Sequence, residues 1–286
     1  MTYLNDATAA YPLHVGITLA ATPIGNLGDA SPRLCTAIAQ ADVIAAEDTR
    51  KTRQLAQSLG IEIQGRVLSN FEHNEQERVA TLIELARHQR VLVVSDAGMP
   101  VISDPGFPLV KAARVAGVAL TCIPGASAVT TALAISGLAG DRFAFDGFVP
   151  RKAQARKAWL GELSSEPRAV CAFESPHRVV QTLNDAREVL GEQREVAVAR
   201  ELTKKFEEVF VGTLAQACTW AADGVRGEIV LVFSPATPKK LNAANALPEV
   251  QALVDSGVRT KDACKQIAAK YDLSAKELYA GMLEAR

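Results

Sequence analysis

Short apolar runs alternate with segments of helical spacing along the first half of the chain. The runs are rich in β-branched and small apolar residues and span positions 15–20, 43–46, 91–95 and 120–123. Strands that alternate with amphipathic helices are typical of βαβ units around a mainly parallel sheet. One helix start is predicted at Ser31-Pro32, because a capping hydroxyl there precedes a proline at the first helical position.

The second half of the chain repeats this alternation with one difference. The strands around Val198 and Val209 are too close in sequence for a helix between them, so the second sheet is predicted to be mixed or partly antiparallel. The pattern predicts an α/β fold with a parallel-sheet lobe over 12–136 and a mixed-sheet lobe over 137–236. Strands of the second sheet are predicted at 143–148, 170–173, 196–199, 209–211 and 229–233.

Beyond the second lobe the pattern changes twice. The stretch 234–248 is rich in Pro, Ala and Asn and has no strong period, which predicts a linker. Residues 249–286 have the pattern of short helices, with Thr260 and Ser274 at N-cap positions. A small helix-turn-helix-like domain is therefore predicted over 247–286.

Composition and charge exclude several classes of protein. With 48% apolar and 22% charged residues, the chain has the balance of a globular protein and not of a disordered one. Its 31 basic and 32 acidic residues predict no overall attraction to a polyanion, so nucleic-acid binding would depend on local patches. The most apolar stretch, 115–138, is broken by Pro124 and Gly125, which predicts a strand, a turn and a buried helix rather than a membrane span.

Cysteine usage predicts a cytosolic protein. The five cysteines lie far apart in sequence, and their odd number argues against a disulfide framework. None of them has the spacing of a metal site, so no metal is expected. The chain opens without a basic segment followed by an apolar run, and no secretory signal is predicted.

Unusual residues concentrate in loops at the carboxyl ends of the predicted strands, where open α/β sheets bind their ligands. The loop 22–29 carries two glycines and a proline, which let a ligand approach the backbone, although a tight turn without a ligand explains it equally well. The loop 47–51 joins two acids to two bases, and its position favours a binding role over a solvated helix start. The loop 95–106 presents Asp96 and Asp104 as hydrogen-bond acceptors in turns more elaborate than chain reversal requires.

Two further segments have more than one interpretation. Small residues at 124–128 leave the backbone open to a ligand, but close helix packing would select the same residues. In 173–178, the ring of Phe173 can stack on a flat ligand. His177 is either a functional group or an exposed residue in the first turn of a helix begun by Pro176.

Two basic clusters are candidates for phosphate binding, although a charge run is usually a solvated face. The sequence does not decide between these interpretations. The first cluster contains Arg151, Lys152, Arg156 and Lys157, and the second contains Arg200, Lys204 and Lys205.

Six segments, taken in order, resemble the tetrapyrrole-methylase superfamily over about positions 15–236. Within it they closely resemble the RsmI type, the small-subunit ribosomal RNA 2′-O-ribose methyltransferases. The first loop and the Ser-Asp-Ala-Gly segment depart from the GxGPG-like and Gly-Asp-Pro motifs of most tetrapyrrole enzymes, which argues against a porphyrinoid substrate. The segments are TPIGNLGD (22–29), AAEDTRKT (45–52), SDAGMPVISDPG (95–106), PGASA (124–128), FESPHR (173–178) and ELTKKFEE (201–208).

The resemblance implies two α/β lobes with S-adenosylmethionine bound in the cleft between them. It also implies a homodimer and, as substrate, a cytidine in the decoding region of 16S ribosomal RNA, free or in the small subunit. Carried over by position, it implies a donor pocket lined by Pro23, Asp96, Met99, Ser127, Ala128, Phe173 and Leu202.

Methyl transfer from a sulfonium to a ribose hydroxyl is an in-line displacement. Much of the catalysis can come from aligning the hydroxyl with the methyl group, and a carboxylate can add to it by removing the hydroxyl proton. Glu47 and Asp48 are the first candidates for that carboxylate, and Asp104 is the second. Arg50 would bind phosphate or orient the acids through a bidentate contact.

The first basic cluster and His177 are expected to contact RNA phosphates, as are the C-terminal helices, for which a protein partner is an equal alternative. Two other functions stay open at the level of sequence. One is a porphyrinoid or other small-molecule C-methyltransferase with the same donor pocket. The other is a nucleic-acid-binding regulator whose enzyme-like lobes are inert.

Overall fold

The computed structural model describes residues 12–237, 243–271 and 273–284. Contacts within the chain divide it into two compact units, Met1–Ala236 and Thr237–Arg286. Within the described ranges, every helix is too short or too polar to cross a bilayer.

The first sheet is built from five parallel strands in the order β3-β2-β4-β1-β5. Because the strands are parallel, all five carboxyl ends meet at one edge. The predicted parallel sheet is confirmed, but strand β3 was not predicted, since it lies at the sheet edge and is only partly buried. The strands are β1 (Gly16–Ala20), β2 (Val43–Ala46), β3 (Arg66–Ser69), β4 (Arg90–Val94) and β5 (Leu120–Ile123).

Helices cover both faces of this sheet, and we call this part of the first unit the N-lobe. The predicted helix start at Ser31-Pro32 is confirmed, because Ser31 Oγ accepts a hydrogen bond from the Leu34 amide at 3.1 Å. The apolar stretch 115–138 forms a strand and a buried helix, as predicted. The helices are a 3₁₀ turn (Leu27–Asp29), α1 (Pro32–Gln40), α2 (Thr49–Ser58), α3 (Glu75–Ala86) and α4 (Phe107–Ala116). The next helix, α5 (Ala128–Ser136), packs instead against the second sheet, because Ala132 and Leu133 share a buried cluster with Ala197 and Val230.

The second sheet, which defines the C-lobe, has the order β6-β7-β10-β8-β9. Strands β6 and β7 are parallel and the other neighbours are antiparallel, which confirms the predicted mixed sheet. Its strands are β6 (Phe143–Phe148), β7 (Ala169–Glu174), β8 (Glu195–Arg200), β9 (Glu208–Thr213) and β10 (Ile229–Phe233). Its helices are α6 (Ala153–Leu163), α7 (Val179–Leu190) and α8 (Leu214–Trp220).

The second unit is a bundle of three helices, α9 (Ala243–Asp255), α10 (Thr260–Tyr271) and α11 (Ala275–Glu284). Ser274 Oγ accepts a hydrogen bond from the Glu277 amide at 3.3 Å, which confirms the predicted N-cap of α11. The N-cap predicted at Thr260 is wrong by one residue, because Thr260 is already the first residue of α10 and the Ala263 amide donates to the Arg259 carbonyl. Buried residues from all three helices form its core, including Val250, Ile267 and Leu278.

The prediction of a linker over 234–248 is wrong from position 243 onwards. Residues 238–242 lie outside the described part of the chain, and helix α9 begins immediately after them at Ala243. The alanines of this segment favour helix, and Ala246 is fully buried in the bundle core. This packing compensates for Pro248, which lies inside the helix and supplies no amide hydrogen.

Candidate active site

A cavity of about 320 Å³ lies in the first unit, between the carboxyl-end loops of the N-lobe sheet and one end of the C-lobe sheet. Its volume falls in the range of small-molecule sites, which are roughly 300 Å³ or larger. Its acidic lining residues are Glu47, Asp96, Asp104, Glu174 and Glu228. Its larger apolar lining residues are Ile24, Met99, Ile102, Phe148, Phe173, Ile229 and Val230.

The loop after β1 is tied to the loop after β4 by a two-residue bridge. The Thr22 amide donates to the Gly98 carbonyl at 2.9 Å, and the Gly98 amide donates back to the Thr22 carbonyl at 3.0 Å. Gly98 has φ +82°, and a Cβ there would lie 3.3 Å from Ile24, so glycine allows this approach. The bridge places Ile24 in the lining, whereas Pro23, the residue predicted from sequence, does not line the cavity.

The loops after β2 and β4 are joined by hydrogen bonds between their acids and amides. The Asp96 carboxylate accepts from the Asp48 amide at 3.0 Å and from Lys51 Nζ at 2.8 Å. Glu47 Oε2 in turn accepts from the Asp96 amide at 3.1 Å. Burial raises the pKa of Glu47, which faces the cavity.

Asp48 and Arg50 lie outside the cavity lining and interact with each other. The Asp48 carboxylate caps α2 through the Arg50 amide and makes a bidentate contact with the Arg50 guanidinium, at 3.1 and 2.8 Å. That contact holds the pKa of Asp48 well below its usual range. The arrangement is that of a helix cap with an exposed ion pair.

Asp104 is held in the cavity by an irregular loop. Val101 and Ser103 adopt left-handed backbone conformations, with φ of 77° and 62°, although neither is glycine. Such strain persists only where the surroundings impose it, and it concentrates at functional sites. The Gly106 amide anchors the end of the loop by donating to Glu75 Oε2 at 2.7 Å.

The surroundings of Asp104 raise its pKa to about 6, first because the carboxylate is partly buried and second because Glu47 is negatively charged nearby. Asp104 therefore changes protonation near neutral pH. Among the described residues, no group of His, Cys, Asp or Glu side chains has the geometry to hold a metal ion.

The first turn of α5 faces the cavity through Ser127 and Ala128, two of the predicted donor-binding residues. The Ser127 side chain makes no capping hydrogen bond, which leaves this end of the helix open to an acceptor from a ligand. A Cβ on Gly125 would lie 2.9 Å from the Ala21 Cβ. Close packing is therefore observed at Gly125, and the approach of a ligand to this backbone stays a prediction.

Aromatic rings form one wall of the cavity. Phe173 lies 5.0 Å from Phe145 and 5.3 Å from Phe148 between ring centroids, and Phe148 is 61% exposed. The neighbouring Glu174 is buried and accepts a hydrogen bond from Thr182 at 2.5 Å. These contacts fix the wall on β6 and β7.

His177 is exposed in the turn between β7 and α7. The helix begins at Val179 and not at Pro176, so the predicted helix start is wrong by three residues. The sequence Ser175-Pro176 forms a turn instead, in which the His177 amide donates to Ser175 Oγ at 3.3 Å.

The segment after β8 meets the first loop. Leu202 is 5% exposed and packs with Ile24 in a buried cluster, so it lies behind the lining and not in it. Lys204 Nζ donates to Glu201 at 2.8 Å and to Glu228 at 3.0 Å. A side chain on Gly25 would overlap Lys204, so the missing Cβ lets the two loops approach.

Several cations of the two basic clusters form ion pairs with acids of the same chain. Lys204 pairs as described, and Arg200 pairs with Glu208 at 2.7 Å. Lys157 pairs with Glu188 at 2.7 Å. Arg151 and Lys152 are exposed in the segment that follows β6.

Arg156, expected from sequence to bind phosphate, does not reach the surface. It is 4% exposed, and its guanidinium contacts Asp185, also 4% exposed, at 2.6 Å. The spacing of the cluster did not reveal this partner, because Asp185 comes from the neighbouring helix α7. We therefore assign Arg156 to the packing of α6 on α7.

Sequence reasoning missed two prominent lining residues, Phe148 and Glu228. Phe148 ends the predicted strand β6, so its place at a strand's carboxyl end was a usable signal. Glu228 precedes β10, and because β10 runs antiparallel to β7 and β8, its amino end lies at this edge. Only the pairing of the strands could reveal that position.

Comparison with known proteins identifies the family. Residues 16–218 match the family described as Tetrapyrrole (Corrin/Porphyrin) Methylases. A protein of Mycobacterium tuberculosis named "Ribosomal RNA small subunit methyltransferase I" is 51% identical over 94% of this chain and 95% of its own length. One of the same name from Synechocystis is 41% identical over 93% of this chain and 96% of its own.

Solved structures share the fold at low identity. The methyltransferase CobJ matches with a TM-score of 0.59 and 20% identity, over 80% of this chain and 98% of its own. Uroporphyrin-III C-methyl transferase from Thermus thermophilus, complexed with S-adenosyl homocysteine, matches with a TM-score of 0.52 and 17% identity, over 76% and 96%. These likenesses show the fold alone, whereas the closer relatives share most of the sequence pattern. The chain therefore belongs to the tetrapyrrole methylase family and, within it, to the ribosomal RNA small subunit methyltransferase I family.

Proposed function

We propose that this protein methylates the ribose 2′-hydroxyl of a cytidine in the decoding region of small-subunit ribosomal RNA. The methyl donor is S-adenosylmethionine, as in the rest of the family. The observation that carries the proposal is Asp104, a carboxylate that titrates near neutral pH and lines a cavity bounded by aromatic rings.

The cavity has the chemistry that the donor requires. Phe173 and Phe148 offer an apolar wall to the adenine ring, and Met99 lies in the same lining. Asp96 attracts the positively charged groups and ribose hydroxyls of the donor. The open end of α5, at Ser127 and Ala128, suits its carboxylate. Leu202 packs behind this lining in the same buried cluster as Ile24.

The bound donor supplies an electrophilic methyl group on a positively charged sulfur. Asp104 accepts the proton of the 2′-hydroxyl through a carboxylate oxygen, and partial burial together with the charge of Glu47 raises the pKa of that carboxylate to about 6. Asp48 and Arg50 hold the start of α2, and Asp96 links that helix to the glycine-containing loop. Most of the rate enhancement then comes from alignment of the hydroxyl with the methyl group.

RNA contacts belong to the exposed cations beside the cavity. Arg151 and Lys152 follow the lining residue Phe148 by three and four positions. His177 follows the lining residue Pro176, and the two segments are joined where the Val149 amide donates to the Phe173 carbonyl at 3.0 Å. Lys157 joins these RNA contacts if it exchanges its pair with Glu188 for a phosphate. Arg156 makes no RNA contact and stabilises the packing of α6 on α7.

A cytoplasmic homodimer completes the proposal. All five cysteines are free thiols, which suits a reducing compartment. Light scattering on the purified chain should give twice the monomer mass of 30.4 kDa. A monomeric mass at micromolar concentration would contradict the dimer without affecting the proposed reaction.

The test is a transfer assay with methyl-labelled donor and three acceptors: deproteinised small-subunit RNA, assembled small subunits and a porphyrinoid. We expect label in RNA, recovered as 2′-O-methylcytidine after digestion to nucleosides and mass spectrometry. An Asp104→Asn variant that still binds the donor serves as the inactive control. Label on a base, or label only in the porphyrinoid, would refute the proposal.

A further inference from the structure

A basic pocket lies in the C-terminal helical unit, between α10 and α11. Its volume is about 310 Å³, and its lining includes Lys261, Lys265, Lys276 and Tyr279. Its remaining lining is small, since Cys264 is buried in the bundle core and Ala275 opens α11. The pocket is therefore a shallow site with an apolar floor and a cationic rim.

The three lysines of this pocket have no anionic partner among the described residues. Lys270 of the same unit, by contrast, pairs with Glu249 at 2.9 Å. Lys261 and Lys265 lie one turn apart on α10, a spacing at which like charges repel. Lys261 and Lys276 also lie in the first turns of their helices, where the helix dipole disfavours cations.

An anion in the pocket would offset both the repulsion between Lys261 and Lys265 and the unfavourable position of lysines at the starts of the helices. The other groove of this unit, about 480 Å³ in volume, is lined by Glu277 and Glu284 together with Leu247. The lysines thus line one pocket of the bundle and the two glutamates line another. This separation selects the orientation in which a polyanion approaches it.

We propose that this lysine pocket binds the phosphate backbone of the ribosomal RNA substrate and that Tyr279 stacks on an unpaired base. Tyr279 is 40% exposed on the pocket rim, and aromatic rings beside lysines are the usual platform for single-stranded nucleic acid. An acidic protein segment would pair with the lysines but would leave the ring unused, so RNA fits more of the site. The inference rests on the proposed function, because it takes RNA as the substrate.

The test uses the full chain with Lys261→Gln, Lys265→Gln and Lys276→Gln combined. Filter binding to deproteinised small-subunit RNA at several salt concentrations should show Kd raised about tenfold or more, and a log–log salt slope shallower by about two. Donor Kd and kcat at saturating RNA should not change. Tyr279→Ala should raise Kd without altering the salt slope, because it removes stacking and no charge.

The matched control removes three exposed cations of the first unit, with Lys111→Gln, Arg114→Gln and Arg187→Gln. Thermal melting verifies that all variants fold. Equal effects of the two triple variants, or no change in the salt slope, would overturn the proposal. Weaker binding to assembled subunits alone, with unchanged binding to deproteinised RNA, would overturn it in favour of a protein partner. Because binding is measured without turnover, an absence of methylation would count against the proposed function only.

Discussion

At the scale of single residues, the cavity contains carboxylates in different surroundings. Asp96 accepts hydrogen bonds from the Asp48 amide and from Lys51, which fix it in place. Asp104 is instead partly buried near a second negative charge, Glu47, and its pKa is raised to about 6. The residue with the raised pKa, Asp104, is therefore separate from Asp96, the residue that joins the loops.

Replacing Asp104 with Asn should lower kcat by roughly 10² to 10⁴, the usual contribution of a general base. In the unmodified protein only the deprotonated carboxylate accepts a proton, so kcat should rise with pH, be half-maximal near the pKa of about 6 and level off about one pH unit above it. A pH–rate profile at saturating donor and RNA measures both effects. A flat profile between pH 5 and 8 would exclude this role for Asp104.

Replacing Glu47 with Gln should move the acidic limb of the same profile to lower pH. The reason is that the negative charge of Glu47 contributes to the raised pKa of Asp104. Asp48→Asn is the matched control, because asparagine can also cap α2 and Asp48 lies outside the cavity. If both variants keep full methylation, an unshifted limb and unchanged donor affinity, then neither acid takes part.

At the scale of elements, α6 is fastened to α7 by a buried ion pair. Arg156 and Asp185 are each 4% exposed, and Gln181 of α7 also donates to Asp185 at 3.0 Å. The Arg156 guanidinium additionally donates to the Arg151 carbonyl at 3.2 Å, which fixes the N-terminal end of α6. Charges so deeply buried depend on one another for stability.

Arg156→Met should lower the free energy of unfolding by about 3 to 5 kcal/mol, because it leaves the Asp185 carboxylate buried without its cation. Lys157→Met is the control, since its pair with Glu188 is exposed and screened by solvent, so its loss should lower the free energy of unfolding far less. Urea denaturation measures both. Equal losses in the two variants would show that the buried pair does not stabilise the C-lobe.

Element boundaries show where sequence patterns fail. The strands with continuous apolar runs were predicted within one or two residues, because complete burial requires such runs. Strand β3 escaped prediction because an edge strand with one covered side needs fewer apolar residues. The start of α9 was not predicted because the burial of Ala246 in the bundle core outweighs the unfavourable effect of Pro248 on the helix.

At the scale of the whole molecule, the cavity depends on two sheets of different topology. The N-lobe contributes carboxyl ends of parallel strands, whereas the C-lobe contributes the ends of β6 and β7 together with the amino end of β10. The bridge between Thr22 and Gly98 and the contacts of Lys204 connect loops that are far apart in sequence. The first unit should therefore bind the donor without help from the C-terminal helices.

Ending the chain after Ala236 should leave donor affinity unchanged and weaken RNA binding, because the cavity lies wholly within the first unit. Calorimetry with S-adenosylmethionine and filter binding with RNA measure the two affinities separately. The control is the full chain with the lysine pocket neutralised, which should reproduce most of the RNA defect. Equal losses of donor and RNA affinity would contradict this division.

The sequence by itself determined the fold class, the order of the loops and the family. Strand burial requires apolar runs, turns require glycine and proline, and six ordered segments suffice for a resemblance. The resemblance implied seven donor-pocket residues, of which five line the cavity: Asp96, Met99, Ser127, Ala128 and Phe173.

Only the tertiary structure decided which charged residues are available for chemistry. Arg156 and Lys204 look like free cations in the sequence, but Asp185 and Glu228, which pair with them, come from distant segments. Glu228 reaches the cavity because β10 runs antiparallel, and Asp104 titrates near neutrality because folding buries it beside Glu47. Ion pairing and desolvation depend on distances through space, and those distances exist only after the strands and helices have packed.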